Sequence, residues 1–245
     1  MSETVLIVPD THRPFHDRKG WALFMKVARA IRPKHLVIIG DFADCYSVSD
    51  HDKDPEHAMR FAEEIADVND GLDELDSLGA TNKLYVEGNH EDRLRRYVMK
   101  HPELKNVLTV PQLFHLTQRR WKYTPYKQHT HIGKVYFTHD VGVASRTAVF
   151  RSMDLYQHSI VTGHTHRLMY VVEGTALGNE PKVAASFGWL GDVGQVQYMN
   201  QAKARAGWAL GFGVGTLNPK TGFMYLSPVP ILPDYSCCYN GTVYR

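Results

Sequence analysis

Five times along this chain a short apolar run stops abruptly at a polar cluster of Asp, Asn, His and Gly. Thr4–Val8 leads to Asp10-Thr11-His12, and His35–Ile39 to Gly40-Asp41. Leu84–Val86 leads to Gly88-Asn89-His90, Lys134–Phe137 to Thr138-His139-Asp140, and Ser159–Val161 to Gly163-His164-Thr165-His166. Apolar runs of this length suit strands buried on both faces. Amphipathic helical spacing separates the first three: Trp21–Ile31, ending near Pro33, and a long segment between Asp54-Pro55 and Gly79 with Phe61, Ile65, Val68, Leu72 and Leu75 inward. The first part therefore reads βαβαβ, a parallel sheet with helices on its faces. Ligands of such sheets bind beyond the carboxyl ends of the strands, where the clusters fall.

The remainder is richer in strands: Leu168–Val172, Lys182–Phe187, a run around Trp208–Thr216, and Phe223–Pro228, with turns at Gly174 and at 218–222. A second sheet packed on the first is expected. At 245 residues the chain suffices for one sizeable α/β unit, and no shift of composition divides it, so residues 1–245 read as a single domain. A formal charge of +2 excludes a strongly basic whole, though not a local basic patch. Of the 3 cysteines, Cys45 stands alone and Cys237 and Cys238 are adjacent, a poor disulfide framework. No run approaches the roughly 20 apolar residues that cross a bilayer, and no leader pattern opens the chain. The expectation is a cytoplasmic protein without membrane association.

Carboxylate oxygen, amide oxygen and imidazole nitrogen together suit divalent cations such as Mn²⁺, Fe²⁺ or Zn²⁺. No cysteine joins the clusters, which excludes a thiolate-type structural zinc site. In extended backbone, residues i and i+2 point the same way. Asp10 with His12, and His164 with His166, would then each face one centre. Glycines at 40, 88 and 163 would allow sharp turns and close approach to an ion or phosphate.

The five clusters, in order, resemble those of the calcineurin-like metallophosphoesterases: D-x-H, G-D-x-x-D, G-N-H-[DE], a lone His, then G-H-x-H. Here they read D-T-H, G-D-F-A-D, G-N-H-E, T-H-D and G-H-T-H, spanning Asp10 to His166, about two thirds of the chain. The resemblance implies an α/β four-layer sandwich of two mixed β-sheets flanked by helices. It implies two divalent metal ions, Mn²⁺ first, with Fe, Zn, Ni or Mg as alternatives. By the same resemblance Asp10, His12 and His166 hold one ion, Asn89, His139 and His164 the other, and Asp41 bridges them. His90 contacts the phosphate and protonates the leaving oxygen, and Asp44 supports His90 or the metal shell. Residues 188–207 and the GNHEDR variant resemble phage- or prophage-encoded members, which would place the protein in the host cytoplasm.

Arg93, three residues after His90, joins the catalytic candidates as a bidentate phosphate ligand; alternatively it shares a solvated basic face with Arg96 and Lys100, with Leu94, Tyr97 and Val98 inward. Histidines 16, 51, 57, 101, 115, 129, 131 and 158 lie outside the clusters and read as ordinary polar residues. Arg119–Tyr123 mixes basic and aromatic residues and reads as an exposed strand with one buried face, or as a single-strand nucleic-acid contact. Residues 188–206 read as a long substrate loop over the site, with Trp189 and Tyr198 able to stack on a base. The reaction expected is hydrolysis of a phosphodiester in nucleic acid or a nucleotide. The alternatives are a phosphomonoesterase acting on protein or a small metabolite, and a catalytically dead binding or scaffold protein.

Overall fold

A computed structural model describes residues 1–50, 52, 60–174, 180–195 and 206–245. Six strands form the first sheet: β1 (Glu3–Val8), β2 (His35–Ile38), β3 (Asn82–Val86), β4 (Trp121–Thr124), β10 (Gly211–Leu217) and β11 (Met224–Pro230), in the order β11-β10-β1-β2-β3-β4. β1 to β4 run parallel, while β10 lies antiparallel to both β1 and β11. The second sheet contains β5 (Thr130–Ile132), β6 (Val135–Thr138), β7 (Ser159–Thr162), β8 (Leu168–Glu173) and β9 (Lys182–Phe187), in the order β5-β6-β7-β9-β8. Its centre is parallel and both edges are antiparallel.

Strand alternation sorts the apolar residues into layers. Val5, Ile7, Val37, Ile39, Leu84 and Val86 face Phe137, Val161, Ala185 and Phe187 of the second sheet. Leu6, Val8, Leu36, Ile38 and Tyr85 point the other way, against Trp21, Phe24 and Val27 of α1 (Arg18–Ile31) and Val68, Leu72 and Leu75 of α2 (Phe61–Asp76). On the outer face of the second sheet, Val149 and Met153 of α5 (Ala148–Tyr156) pack on Ile160 and Ala184. The result is the expected four-layer order: helices, mixed sheet, mixed sheet, helix. Each fully buried large apolar side chain contributes about 1.5–3 kcal/mol to holding the layers together.

Local chemistry sets the ends of the elements. Asp17 caps α1 by accepting from the Gly20 N–H at 2.8 Å, and Arg32 closes it in left-handed backbone just before Pro33. The helix expected between residues 54 and 79 is α2; residues 53–59 lie outside the described residues. Among the described residues no helix is long and apolar enough to cross a membrane. A C-terminal hairpin, β12 (Cys237–Tyr239) and β13 (Thr242–Tyr244), sets Tyr239 and Tyr244 against the α1–α2 core.

One expectation about surfaces holds and one changes. Arg119 is tied to Asp73 and to Asp76 (2.7 Å), and buried Trp121 donates to Asp76 at 2.9 Å. The basic–aromatic stretch is therefore the anchored edge strand β4. α3 (Asp92–Lys100) does turn Leu94 inward, but Arg93 is buried with it and leaves the basic face to Arg96 and Lys100.

Candidate metal centre

The carboxyl ends of β1, β2, β3, β6 and β7 meet between the sheets. Parallel register brings Val8 level with Ile38, and Ile38 with Tyr85, so their following loops emerge side by side. The first two loops are joined directly: the Thr11 and His12 N–H groups both donate to the Asp41 carbonyl (3.0 and 2.9 Å). Four of the seven candidate ligands sit in left-handed backbone: His12 (φ 52°), Asp41 (48°), His164 (66°) and His166 (54°). Non-glycine residues adopt this region at a cost and cluster there at functional sites.

That backbone corrects the reading of the alternating pairs, because neither D-x-H nor H-x-H is extended. Asp10 and His12 still converge, but His164 and His166 turn apart. Potential ligand atoms of Asp10, His12 and His166 gather within 4.8 Å of one another, and those of Asp41, His139 and His164 do likewise. Asn89 reaches the second group through its Oδ1, 3.0 Å from His139 Nε2. A third group, His12, Asp41 and His90, joins the two. The ten residues singled out from the sequence thus occupy one region.

Hydrogen bonds fix the ring orientations. Asp44 Oδ2 lies 3.1 Å from His12 Nδ1 and 3.1 Å from His90 Nδ1. A carboxylate only accepts, so both rings carry a proton on Nδ1, which leaves the His12 Nε2 lone pair facing the first cluster. His139 donates from Nδ1 to the Ile39 carbonyl at 2.9 Å, which turns its Nε2 toward Asp41 Oδ2 at 3.2 Å. Arg93 Nη1 donates to both Oδ1 and the carbonyl of Asp44 (2.8 Å each), and its Nη2 lies 3.3 Å from His90 Nε2. Asp44 therefore orients His12, His90 and Arg93 together.

Sequence reasoning passed over Glu91, although it fills the last place of G-N-H-E. Its fully buried carboxylate accepts from the N–H groups of Asp41, Phe42, Ala43 and Gly88 at 2.8–3.0 Å and from the Tyr85 hydroxyl at 2.9 Å. It clasps the two loops that carry Asp41 and Asn89. A buried acid inside a ligand loop was the available signal. The glycines also serve differently from expectation. Gly40 does occupy left-handed backbone (φ 99°). At Gly88 and Gly163, however, a Cβ would stand 2.1 Å from Asp41 Oδ1 and 2.5 Å from Asp10 Oδ1, so these positions leave room for ligand carboxylates.

Trp189 is also corrected. It is 1% exposed and stacks on the His166 ring (centroids 4.7 Å apart, planes 14° apart) instead of waiting for a base. Trp208 meets the same ring edge-on at 4.4 Å. Tyr198 and most of the expected substrate loop, residues 196–205, lie outside the described residues, as do His51 and His57. His16 is buried beside Arg13 and Asp67, and His129, His131 and His158 surround Tyr136.

The donor set fits divalent cations. Burial holds His12, His164 and His166 below the ordinary histidine value, His166 at about 3, so they are neutral donors. Burial opposes ionisation of Asp41, but His139 and His90 outweigh it and keep that carboxyl well below its usual range. Asp10, pushed up to about 6 by burial, has its Oδ1 buried without a hydrogen-bond partner. An orphaned buried acceptor is costly, and a cation would satisfy it. His12 Nε2 and His166 Nε2 lie 3.0 Å apart, which suits two nitrogens each about 2.0–2.1 Å from one ion.

No protein-family model matches the chain. The Gene 54 protein of Mycobacterium phage D29 is 27% identical over 252 residues, spanning 89% of this chain and 90% of its own length. Among solved structures, Vps29 of Entamoeba histolytica, as a D62A mutant, superposes with a TM-score of 0.50 at 14% identity, over 98% of this chain and 95% of its own. Vps29 of Chaetomium thermophilum gives 0.50 at 10% identity, over 99% and 94%. These likenesses show the fold: two mixed sheets flanked by helices, in the calcineurin-like metallophosphoesterase arrangement.

Proposed function

We propose that this chain, which has the calcineurin-like metallophosphoesterase fold, hydrolyses phosphodiesters of nucleic acid or nucleotides with two divalent cations. One observation carries the proposal: two ligand groups, Asp10–His12–His166 and Asp41–His139–His164, are joined through a third made of His12, Asp41 and His90. Asp10, His12 and His166 would hold one cation, Asn89, His139 and His164 the other, and Asp41 would serve both, Mn²⁺ being the first choice of metal. When bound, the cations supply neutralisation of phosphate charge and lower the pKa of water.

The protein's own groups do the rest. Burial opposes protonation of His90, but Asp41 and Asp44 outweigh it and raise its pKa, which favours the protonated ring that a leaving ester oxygen would need. Such assistance is worth roughly 10²–10⁴ in rate. Asp44 keeps that ring in place, and Arg93, within 3.3 Å of His90 Nε2, brings a cationic fork to where phosphate oxygens would lie. Three free cysteines agree with work in a reducing cytoplasm, that of the host for a phage-type protein.

The test is turnover with Mn²⁺ of bis-p-nitrophenyl phosphate, p-nitrophenyl phosphate and single-stranded DNA. A preference for the diesters is expected. Preference for the monoester would instead make the chain a phosphatase. No turnover at all would leave a binding role.

A further inference from the structure

A cavity of about 250 Å³ adjoins the candidate metal centre. It lies between the ends of β3 and β4 and the inner face of α3. Its walls include Leu94, Val98, Leu108, Tyr123 and Tyr126, with Glu87 set among them. The loop from β3 to α3 forms part of both the cavity and the centre: Glu87 and Asp92 line the cavity, and Asn89 and His90 face the metals. Tyr126 stands between the two. Its ring centroid is 6.4 Å from that of His139, and its phenol interacts with Asp140.

Volume and polarity narrow the occupant. Whole-ligand pockets run from about 300 to 1,000 Å³, so this one suits a single ring system better than a full nucleotide. Two carboxylates, Glu87 and Asp92, and two cations, Arg95 and the exposed Lys105, line the space, and Arg95 is paired with Asp92 at 2.6 and 3.1 Å, so the lining offers an anion no net positive charge. Glu87 Oε2 accepts from the Tyr123 hydroxyl (2.5 Å) and the Tyr126 N–H (2.9 Å), which fixes the side chain in the cavity wall and leaves Oε1 as the oxygen without a hydrogen bond among the described residues. Such a group accepts from an exocyclic amine, as acidic side chains do from cytosine N4. It repels the carbonyls flanking the N3–H of thymine or uracil.

We propose that this cavity is a base subsite, taking an amino-bearing nucleobase (cytosine, adenine or guanine) while the adjoining phosphate lies on the metals. The inference deepens the phosphodiesterase reading and rests on it for its place in catalysis. Apolar and tyrosine walls supply contact to the ring, and Glu87 supplies the choice among bases.

Calorimetric titration of the Mn²⁺-loaded protein with cytidine, adenosine and thymidine at millimolar concentration tests the subsite without any turnover. Cytidine and adenosine should bind at least about tenfold more tightly than thymidine, the scale of about 1.4 kcal/mol for one discriminating contact. Leu108→Trp, which fills the cavity away from metals and carboxylates, should abolish nucleoside binding and leave hydrolysis of bis-p-nitrophenyl phosphate unchanged. Absence of nucleoside binding, equal affinity for thymidine, or undiminished binding by Leu108→Trp would each overturn the subsite. Failure to hydrolyse bis-p-nitrophenyl phosphate would instead refute the phosphodiesterase reading, and the nucleoside titrations would still decide the subsite.

Discussion

Gly88→Ala adds one methyl group between two ligand loops. Backbone torsion does not forbid it, since Gly88 is not among the positive-φ glycines. The cost is contact alone. The new Cβ would lie 2.1 Å from Asp41 Oδ1 and 2.3 Å from the Asp41 amide nitrogen, against the roughly 3.5 Å at which non-bonded heavy atoms begin to attract. The amide cannot easily yield, because Glu91 Oε2 grips it at 3.0 Å. Asp41 or the 88–90 loop must therefore move by about 1 Å. Overpacking of this kind costs roughly 1–3 kcal/mol. A displacement of that size at a reacting centre costs about 10²-fold in rate. The measurements are urea unfolding, metal content after dialysis against Mn²⁺, and turnover of bis-p-nitrophenyl phosphate. Gly174→Ala is the control: among the described residues nothing lies within 4 Å of its added Cβ, and a change within about 0.5 kcal/mol is expected. A Gly88→Ala protein that binds two Mn²⁺ per chain and turns over within about threefold of wild type would refute the crowding argument.

Asp44→Asn withdraws the acceptor shared by His12 and His90; Mn²⁺ affinity should fall about 10–100-fold, as for other partners of ligating histidines, and unchanged calorimetric titrations would count against that role. His16, which burial and Arg13 depress to about 4, must take up a proton on unfolding below its ordinary value. Its contribution is therefore fully present above about pH 6.5 and is lost as pH falls toward 4, by up to about 3 kcal/mol. His16→Gln should flatten that part of the urea-derived stability profile, and identical profiles for the two proteins would refute it. Removal of Mn²⁺ by a chelator, from a level about 100-fold above Kd, should cost about 2.7 kcal/mol and roughly 5–10 °C of Tm for each ion lost; an unmoved transition would mean no ion stabilises the fold.

The strands that carry the site were legible because each is a continuous apolar run ending in residues an interior strand would not hold. A second packed sheet was legible from the strand-rich remainder, while the four-layer order came from the resemblance to the calcineurin-like metallophosphoesterases. α5 escaped notice since Ala148–Tyr156 is only nine residues long, with Phe150 and Leu155 exposed, so its stripe of apolar residues is blurred. β5, β12 and β13 are three residues each, too short for alternation to show. In the site, residue types named the donors, but direction came from torsion. Left-handed backbone at His164 and His166 sends neighbours two apart to different clusters, and nothing in H-x-H spacing encodes that. Arg93, a candidate from its place three residues after His90, joins the site because the opening of α3 turns inward toward Asp44.

The indoles of Trp189 and Trp208 give the first ligand cluster an optical property. Both lie within 5 Å of the His166 ring centroid, whereas Trp21 is bonded to Glu74 and Trp121 to Asp76, away from the ligands. Half of the chain's 4 tryptophans therefore emit beside one ligand. A paramagnetic ion arriving between His12 and His166 would quench that emission, whereas a closed-shell ion such as Zn²⁺ would mainly shift it. Occupancy of this cluster could then be followed by intrinsic fluorescence, separately from the Asn89–His139–His164 cluster, and the order in which the two clusters fill becomes a measurable quantity in the unlabelled protein.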